Sequence, residues 1–414
     1  MNKKILVLGL GQNNFLSFLY GSLKKFDTQF SITAPFYVEI NKESNNDTWM
    51  YDNATVLKSI SILTMFRAFF CCLFSRHFYA TCFFILFVEG KFPKTLHFVI
   101  KQINAKAFFI ENKNFDDFDT FHFHFMQYSY LRELFLVPKN KKIVCSFWGS
   151  DLLRTNDILN FYFVKKALYK ASIITCQSIE LREIILSKFG RNLYDKIQIA
   201  MFPIEEKIYN QMDLNYENND IIAVFKEKFS YASDKINILI GHSGSPFNNH
   251  LNIITALKDC LNKDKFHLII NLNYAITETT KKKYKHELNE ILIPLECSYV
   301  ILEKFFVKEE LAVSRLASDI FIHTPVSDAL SSTMLELLYA SNVVITGSWL
   351  PYKTFKKANL NYHEIDNFTE LSIKIDLIIE NFKSEKERAI RNKLAVQEYF
   401  FNDITIKKWS QILN

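Results

Sequence analysis

The sequence predicts an α/β protein made of two doubly wound parallel-sheet domains, and three observations support this prediction. Short apolar runs of strand length alternate with helical patterns through most of the 414 residues, as in a parallel sheet covered by helices on both faces. A charged, irregular stretch interrupts the alternation at 204–235. Glycine is scarce, and six of the nine glycines lie at or just after predicted strand ends: Gly9, Gly11, Gly149, Gly241, Gly244 and Gly347. Glycine at a strand end permits a sharp turn or the close approach of a ligand.

These observations set the expected domain boundaries. The first domain covers residues 1–203, a linker covers 204–235, and the second domain covers 236–395. A C-terminal helical segment, 396–414, is apolar enough to return to the first domain. The chain is long enough for two domains of ordinary size.

Composition limits the kinds of partner. The net charge of +6 fits an anionic partner such as a nucleotide or a phospholipid surface, but it lacks the density expected of a nucleic-acid binder. Seven cysteines are scattered without a Cys-x-x-Cys pair, which favours a reducing compartment. The N-terminus shows no signal-peptide pattern. We therefore expect a cytoplasmic protein that does not bind nucleic acid.

The first domain opens with a strand at 4–9, a glycine turn and a helix from Phe15 to Leu23. A dinucleotide-binding fingerprint would need a third glycine where Asn14 stands, so a Rossmann oxidoreductase is a weak alternative. Further strands are predicted at 107–111, 120–126, 143–147, 172–176 and 198–202, and helices at 128–136, 158–170 and 178–188.

His122 and His124 alternate on one of these strands and therefore share one of its faces. A metal site would need a third ligand, and the sequence offers none nearby. We interpret both as core or cleft histidines and expect no metal.

The stretch 55–89 is very apolar, although Arg67, Arg76 and His77 interrupt it. No uncharged run reaches the ~20 residues that a membrane-spanning helix requires. Two interpretations remain open. The stretch is either a pair of buried helices or an amphipathic surface that lies on a membrane.

The most informative stretch is 321–345. It reads as a buried strand, a polar loop, a helix from about Ser332 to Ala340 and a second buried strand. Two carboxylates flank the start of the helix, at Asp328 and Glu336. Because the first N–H groups of a helix have no intrahelical partner, this loop is suited to bind an anion. The alternative is a capping box formed by Thr333 and Glu336, with Asp328 as a turn residue.

Two further loops follow predicted strands. In the first domain, Trp148-Gly-Ser-Asp151 comes directly after a strand. Asp151 is a ligand-binding carboxylate, a helix N-cap or the partner of Arg154 in a salt bridge. In the second domain, a strand from Ile236 runs into a polar loop. Its candidate phosphate-binding residues are Gly241, His242, Ser243, Gly244, Ser245, Asn249 and His250. Lys304, after another strand, would supply positive charge.

These three loops resemble motifs of GT-B glycosyltransferases, above all the retaining family 4 group. Asp328-x7-Glu336, followed by Leu-Leu-Tyr-Ala-Ser and Val-Val-Ile, is similar to the family's donor-site signature. The loops at Trp148 and Gly241 are similar to those of bacterial fucosamine (Fuc4NAc) transferases. Three departures stand out: Asp328 replaces the usual glutamate, Trp148 the usual histidine, and the loop after Gly241 lacks the family's Arg and Lys.

The resemblance implies a fold and a role for each motif. The fold would be GT-B, with two Rossmann-like domains facing across a cleft. Glu336 would bind the ribose of a sugar nucleotide, Asp328 would contact the donor sugar, and the backbone from Leu330 through Ser331 to Ser332 would hold phosphate. Asp151 would act as acid/base or bind the acceptor hydroxyl.

The expected function is transfer of a sugar from a nucleotide-sugar donor to a saccharide or lipid-linked acceptor, without a cofactor. The resemblance places it in bacterial surface-polysaccharide synthesis (lipopolysaccharide, O-antigen or capsule), in the cytoplasm or peripherally on the inner face of the membrane. The alternatives are a nucleotide-sugar epimerase or hydrolase of the same fold, and a non-catalytic sugar-binding relative.

Overall fold

The computed structural model describes residues 3–9, 14–33, 61–88, 90, 92–111, 117–131, 133–401 and 404–414. The chain divides into two compact units. The first comprises Met1–Pro203 together with Asp403–Asn414, and the second comprises Ile204–Asn402. Each unit contains one six-stranded sheet, so the predicted fold class of two doubly wound α/β domains is confirmed.

The sheet of the first unit is parallel throughout. Its strands are β1 (Lys3–Gly9), β2 (Phe30–Thr33), β3 (Thr120–His124), β4 (Lys142–Ser146), β5 (Ile173–Cys176) and β6 (Ile197–Ile199). Their spatial order is β2-β1-β3-β4-β5-β6. Strand order therefore reverses direction between β1 and β3, and such a switch point is where open α/β sheets bind ligands.

Seven helices of the first unit precede the second unit in the described part of the chain. They are α1 (Asn14–Phe26), α2 (Ile62–Leu73), α3 (Arg76–Phe83), α4 (Phe92–Glu111), α5 (Ser150–Leu153), α6 (Ile158–Lys170) and α7 (Ile179–Phe189). After α3 the chain continues into a π-helical turn, Phe84–Val88.

The sheet of the second unit is also parallel. Its strands are β7 (Ile236–Ile240), β8 (Phe266–Asn271), β9 (Ser298–Leu302), β10 (Ile320–His323), β11 (Val343–Gly347) and β12 (His363–Ile365). The order β12-β11-β10-β7-β8-β9 puts the switch point between β7 and β10. The two loops that carry most of the predicted donor-site residues follow these two strands.

Ten helices surround this second sheet. They are α8 (Glu206–Asn215), α9 (Asn219–Lys228), α10 (His250–Ala256), α11 (Glu278–Leu292), α12 (Lys308–Ala317), α13 (Ser332–Tyr339), α14 (Lys353–Lys357), α15 (Leu371–Glu380), α16 (Phe382–Ile390) and α17 (Asn392–Phe400). A final helix, α18 (Ile404–Leu413), lies in the first unit. There Trp409, Ile412 and Leu413 are buried in one apolar cluster with residues of β1 and α1.

Four features differ from the sequence-based expectation. The strand predicted at 107–111 is wrong, because these residues end α4. The buried positions of α4 include Thr95, Phe98, Gln102, Ala105 and Phe109, and the spacing of these five by three and four residues fits a helix. The predicted helix at 128–136 is two short 3₁₀ turns. The expected linker at 204–235 contains α8 and α9, and α17 extends past the expected domain end at 395.

Within the described residues, no single helix has the length and apolar composition to cross a membrane. The segments Ile62–Leu73 and Arg76–Val88 meet these criteria only as a pair, and they are bent by 79° relative to each other. Gly11 and residues 55–60 and 89 of the predicted motifs lie outside the described part of the chain.

Candidate functional site

The loop after β7 is shaped by a histidine packed against a glycine. Gly241 has a φ of +63°, and a Cβ at this position would lie 2.5 Å from Nε2 of His250. His250 is fully buried, and its Nδ1 lies 3.1 Å from the Tyr284 hydroxyl. Burial lowers the pKa of His250 to about 3. The histidine is therefore a neutral packing element that holds the loop against α11.

Several polar groups predicted to bind phosphate are already used within this loop. Nδ2 of Asn248 donates to the carbonyl and the hydroxyl of Ser243 at 2.9 Å each. The Gly244 N–H donates to the Tyr274 carbonyl at 2.9 Å, and the Asn249 amide donates to the Thr324 carbonyl at 2.7 Å. Ser243, Gly244 and Asn249 thus build the loop. These residues were predicted to donate hydrogen bonds to phosphate, and in the structure their polar groups bond to other groups of the protein.

The loop after β10 leads into the N-terminus of α13. Ser331 caps this helix, and its hydroxyl accepts from the Met334 N–H at 3.1 Å. The alternative capping box of Thr333 and Glu336 is therefore wrong. The N–H groups of Ser332 and Thr333 have no intrahelical acceptor by geometry. They give this end of the helix the partial positive charge that suits an anion.

Asp328 is held by a histidine and a tyrosine. Its Oδ2 lies 3.3 Å from Nε2 of His323 and accepts from the Tyr352 hydroxyl at 2.9 Å, while Oδ1 accepts from the Ala329 N–H at 2.7 Å. Burial opposes ionisation of Asp328, but the hydrogen bond and charge of His323 outweigh it and lower the pKa to about 2. The Asp328 side chain keeps 26% of its surface exposed. It is an oriented carboxylate that a ligand can reach.

Glu336 pairs with an arginine. Nε and Nη2 of Arg315 donate to Oε2 of Glu336 at 3.0 and 2.9 Å, and both side chains are nearly buried. Burial raises the pKa of Glu336, and the Arg315 charge counteracts that rise. Arg315, from α12, thus brings a cation to a loop region in which the sequence shows neither Arg nor Lys.

Lys304 is placed differently from the prediction. Its Nζ lies 2.7 Å from Oε1 of Glu310, and Lys228 shares the same carboxylate oxygen at 3.1 Å. Its side chain is about half exposed. Lys304 therefore belongs to a surface ion-pair network, and Arg315 is the cation beside the predicted donor carboxylates.

His323, Arg315 and Tyr274 are the residues that sequence reasoning missed. His323 ends β10 and is fully buried. Tyr274 is 42% exposed, and burial of its hydroxyl raises the pKa of that group to about 12, with the charges of Arg315, Glu336 and Asp328 as smaller influences. His323 lies at the carboxyl end of a strand next to a switch point, where open α/β sheets bind ligands, and that position could have marked it as a candidate. Arg315 carried none, because its contact with Glu336 spans 21 residues of sequence.

In the first unit, Asp151 binds backbone rather than facing solvent. Its Oδ1 accepts from the N–H groups of Trp148 and Gly149 at 2.9 and 2.8 Å, and its Oδ2 accepts from the Met126 N–H at 2.7 Å. Only 3% of the residue is exposed. Burial raises the pKa of Asp151 to about 6, although these three hydrogen bonds act to lower it. The capping alternative does not describe this geometry, because Gly149 is the N-cap of α5 and Asp151 is the second residue of the helix. Asp151 instead ties the loops after β3 and β4 together.

A buried chain of hydrogen bonds runs from Trp148 into the sheet. Nε1 of Trp148 donates to Nδ1 of His124 at 3.2 Å, and Nε2 of His124 lies 2.7 Å from the Tyr20 hydroxyl. That hydroxyl lies 2.8 Å from Nδ1 of His122, and Nε2 of His122 lies 2.6 Å from the Ser146 hydroxyl. Burial lowers the pKa of both histidines, that of His122 to about 3. Both are thus neutral core histidines.

No protein-family model and no curated protein sequence matches the chain. Among solved structures, it is similar to a glycosyltransferase from Rickettsia africae ESF-5, with a TM-score of 0.69 and 13% identity over 100% of this chain and 98% of that chain. It is also similar to Anabaena HepE in complex with UDP-glucose, with a TM-score of 0.62 and 13% identity over 99% and 98%. OtsA gives a TM-score of 0.66 and 12% identity over 99% of each chain. At these identities the likeness shows the fold, which is GT-B.

Proposed function

We propose that the protein is a glycosyltransferase that moves a sugar from a nucleotide-sugar donor to a saccharide or lipid-linked acceptor. One observation carries the proposal. Three groups follow the switch point of the second sheet. The ionised Asp328 and the start of α13 come after β10, and the Arg315–Glu336 pair joins α12 to α13. An oriented carboxylate beside an anion-binding helix end suits a sugar linked to a diphosphate.

Each group has a role in this proposal. The N–H groups at the start of α13 stabilise the charge that develops on the departing nucleotide phosphate. Glu336, oriented by Arg315, binds the ribose hydroxyls. Asp328, oriented by His323 and Tyr352, binds the donor sugar. The UDP-glucose bound to HepE and the UDP-2-fluoro-glucose bound to the E. coli trehalose-6-phosphate enzyme support a nucleotide sugar as the donor class.

The first unit would bind the acceptor, near Trp148. Because three backbone N–H groups occupy the Asp151 carboxylate, we assign Asp151 a positioning role instead of the acid/base role expected from the resemblance. The resemblance of two loops to fucosamine transferases supports bacterial surface-polysaccharide synthesis at the cytoplasmic face of the membrane, without a resident metal.

Nucleotide binding tests the proposal directly. Thermal shift and calorimetry with UDP, GDP, TDP and CMP should identify one nucleotide that stabilises the protein, and Glu336→Gln should abolish that effect. Glu385→Gln is the matched control, since Glu385 pairs with His363 instead. If no nucleotide binds the wild-type protein, the proposal fails.

Product analysis then separates transfer from its alternatives. With donor and a lipid-linked or oligosaccharide acceptor present, a glycosylated product is expected. Release of free sugar or formation of an epimer in the absence of acceptor would identify a hydrolase or an epimerase. Nucleotide-sugar binding without any turnover would identify a non-catalytic relative.

A further inference from the structure

Three successive helical segments of the first unit expose large apolar side chains in stripes. In each stripe the residues recur every four positions, so they lie on one face of their helix. The stripes are Ile62, Phe66, Phe70 and Phe74 on α2 and its end, Tyr79, Phe83 and Phe87 on α3 and the π-helical turn, and Phe92, Leu96 and Ile100 on α4. These ten side chains are 48% to 90% exposed. We call them the apolar stripes.

The amphipathic pattern of α2 is the reverse of that of an ordinary surface helix. The face turned to the protein carries the small residues Thr64, Ala68 and Cys72, all buried. The face turned to solvent carries isoleucine and phenylalanine. A water-facing helix normally buries its large apolar residues and exposes polar ones. The reversal indicates that α2 has an apolar partner beyond the residues that the structure describes.

The charge of the region indicates which partner this is. Residues 61–111, from the start of α2 to the end of α4, contain six Lys or Arg, at positions 67, 76, 91, 94, 101 and 106, and two acidic residues, at 89 and 111. Arg67 and Arg76 are exposed on the helices that carry two of the stripes. A basic segment with an exposed Phe- and Leu-rich face matches the interface of an anionic phospholipid bilayer, where rings enter the acyl boundary and cations meet phosphates.

The geometry favours lying on the bilayer over crossing it. With twelve residues, α2 is about 18 Å long, shorter than the ~30 Å hydrocarbon core. The 79° bend between α2 and the following segment also prevents the two from forming one straight span. Helix α2 lies along α4, which brings stripes from two helices to neighbouring positions.

We propose that the apolar stripes dock the protein in the plane of an anionic phospholipid surface. This inference does not depend on the proposed function. The further link to a lipid-linked acceptor, which such docking would place beside the first unit, rests on the proposed function.

Vesicle co-sedimentation of the full chain tests the docking. The wild-type protein should sediment with vesicles of phosphatidylglycerol and phosphatidylcholine in equal parts, and much less with pure phosphatidylcholine. Phe66→Ser/Phe74→Ser/Phe87→Ser should abolish binding. Leu214→Ser/Leu261→Ser/Ile293→Ser removes three equally exposed apolar side chains of the second unit and should bind like the wild type. Arg67→Gln/Arg76→Gln should weaken binding to anionic vesicles about tenfold or more.

Three results would overturn the proposal, two from the vesicle assay and one from light scattering. The first is failure of the wild-type protein to bind either vesicle, and the second is unchanged binding of the triple phenylalanine variant. The third is a shift of that variant from dimer to monomer in light scattering, which would show that a second copy of the chain covers the stripes. Nucleotide binding of the same triple variant, measured by calorimetry, distinguishes a failure of docking from a failure of the proposed function. Lost vesicle binding with intact nucleotide binding supports docking, and absent nucleotide binding in the wild type rejects only the proposed function.

Discussion

The indole N–H of Trp148 points at Nδ1 of His124, 3.2 Å away. An indole nitrogen can only donate, so Nδ1 must be the unprotonated nitrogen of this neutral ring. His124 therefore carries its proton on Nε2 and donates it to the Tyr20 hydroxyl, which in turn donates to Nδ1 of His122. His122 is left with its proton on Nε2 and donates to the Ser146 hydroxyl. One donor at the end of β4 thus fixes the tautomers of two histidines.

Trp148→Phe should remove this constraint while keeping an aromatic ring. We expect a loss of about 1–3 kcal/mol in unfolding free energy, because Nδ1 of His124 becomes a buried acceptor without a partner. Long-range ¹H–¹⁵N spectra of the imidazoles should show a changed His124 tautomer. Trp349→Phe is the control, since its indole donates to the Pro325 carbonyl. Unchanged imidazole signals in Trp148→Phe would disprove the directed chain.

Stability should fall in acid because of the buried histidines. The pKa of His122 and of His250 is lowered by burial to about 3, against about 6.5 in an unfolded chain. Between these values the unfolded state binds more protons than the native state, so stability rises with pH and is lost as pH falls from about 6.5 towards 3. Urea titrations across this range measure the slope. His286→Gln changes an exposed histidine and should leave the slope unaltered, and a flat wild-type profile would contradict the prediction.

Gly241→Ala should lower the free energy of unfolding by more than the positive φ alone would. The substitution strains a φ of +63° and also places a Cβ 2.5 Å from Nε2 of His250. Gly90→Ala is a matched control, because Gly90 has a φ of +65° and no atom lies within 4 Å of its added Cβ. We expect about 1–2 kcal/mol for Gly90→Ala and a larger loss for Gly241→Ala. Equal losses in the two variants would mean that His250 moves aside without cost.

Arg315→Met should leave Glu336 as an uncompensated buried carboxylate. Breaking a buried pair in this way costs about 3–5 kcal/mol, and the pKa of Glu336 should rise further once the opposing Arg315 charge is gone. Arg388→Met removes a pair with Glu385 in which the arginine is 57% exposed, so its cost should stay below about 1 kcal/mol. Chemical denaturation at neutral pH compares the two. Similar small losses would show that Glu336 relaxes towards water.

Asp151→Asn should distinguish a structural carboxylate from a catalytic one. The amide can accept from the N–H groups of Trp148 and Gly149, but its own N–H₂ would then face the Met126 N–H. We expect a loss of about 1–3 kcal/mol in stability. If Asp151 only positions the loops, any surviving activity should keep the pH profile of the wild type. Loss of one limb of that profile at unchanged stability would restore the acid/base role.

The fold was predictable because its signal is local. Each strand from β7 to β11 is an apolar run followed by polar residues or glycine. These strand ends indicate where the donor loops begin. The failed strand at 107–111 shows the limit of that signal, since Ala107-Phe-Phe-Ile110 fits a strand as well as the end of a long helix.

The sequence predicts where the candidate-site residues lie in the fold, but not how they are hydrogen-bonded. The sequence identifies Asp328 and Glu336, whose spacing along one loop and helix is visible in the chain. It does not reveal that His323 and Arg315 hold them, because those contacts depend on how strands and helices pack. The hydrogen bonds of Ser243, Gly244 and Asn249 within the protein were not predictable for the same reason. A polar loop has the same sequence pattern whether its hydrogen-bond donors bind a ligand or acceptors within the protein.

The placement of α18 has a consequence for synthesis of the chain. Trp409 and Leu413 are fully buried, and together with Ile412 they complete the core formed by β1 and α1. The first unit therefore cannot complete its interior until α18 has been translated, whereas the second unit, which is encoded before α18, can fold earlier. A nascent-chain truncation before residue 404 should leave Tyr20 and its neighbours open to proteases, with the middle domain already resistant.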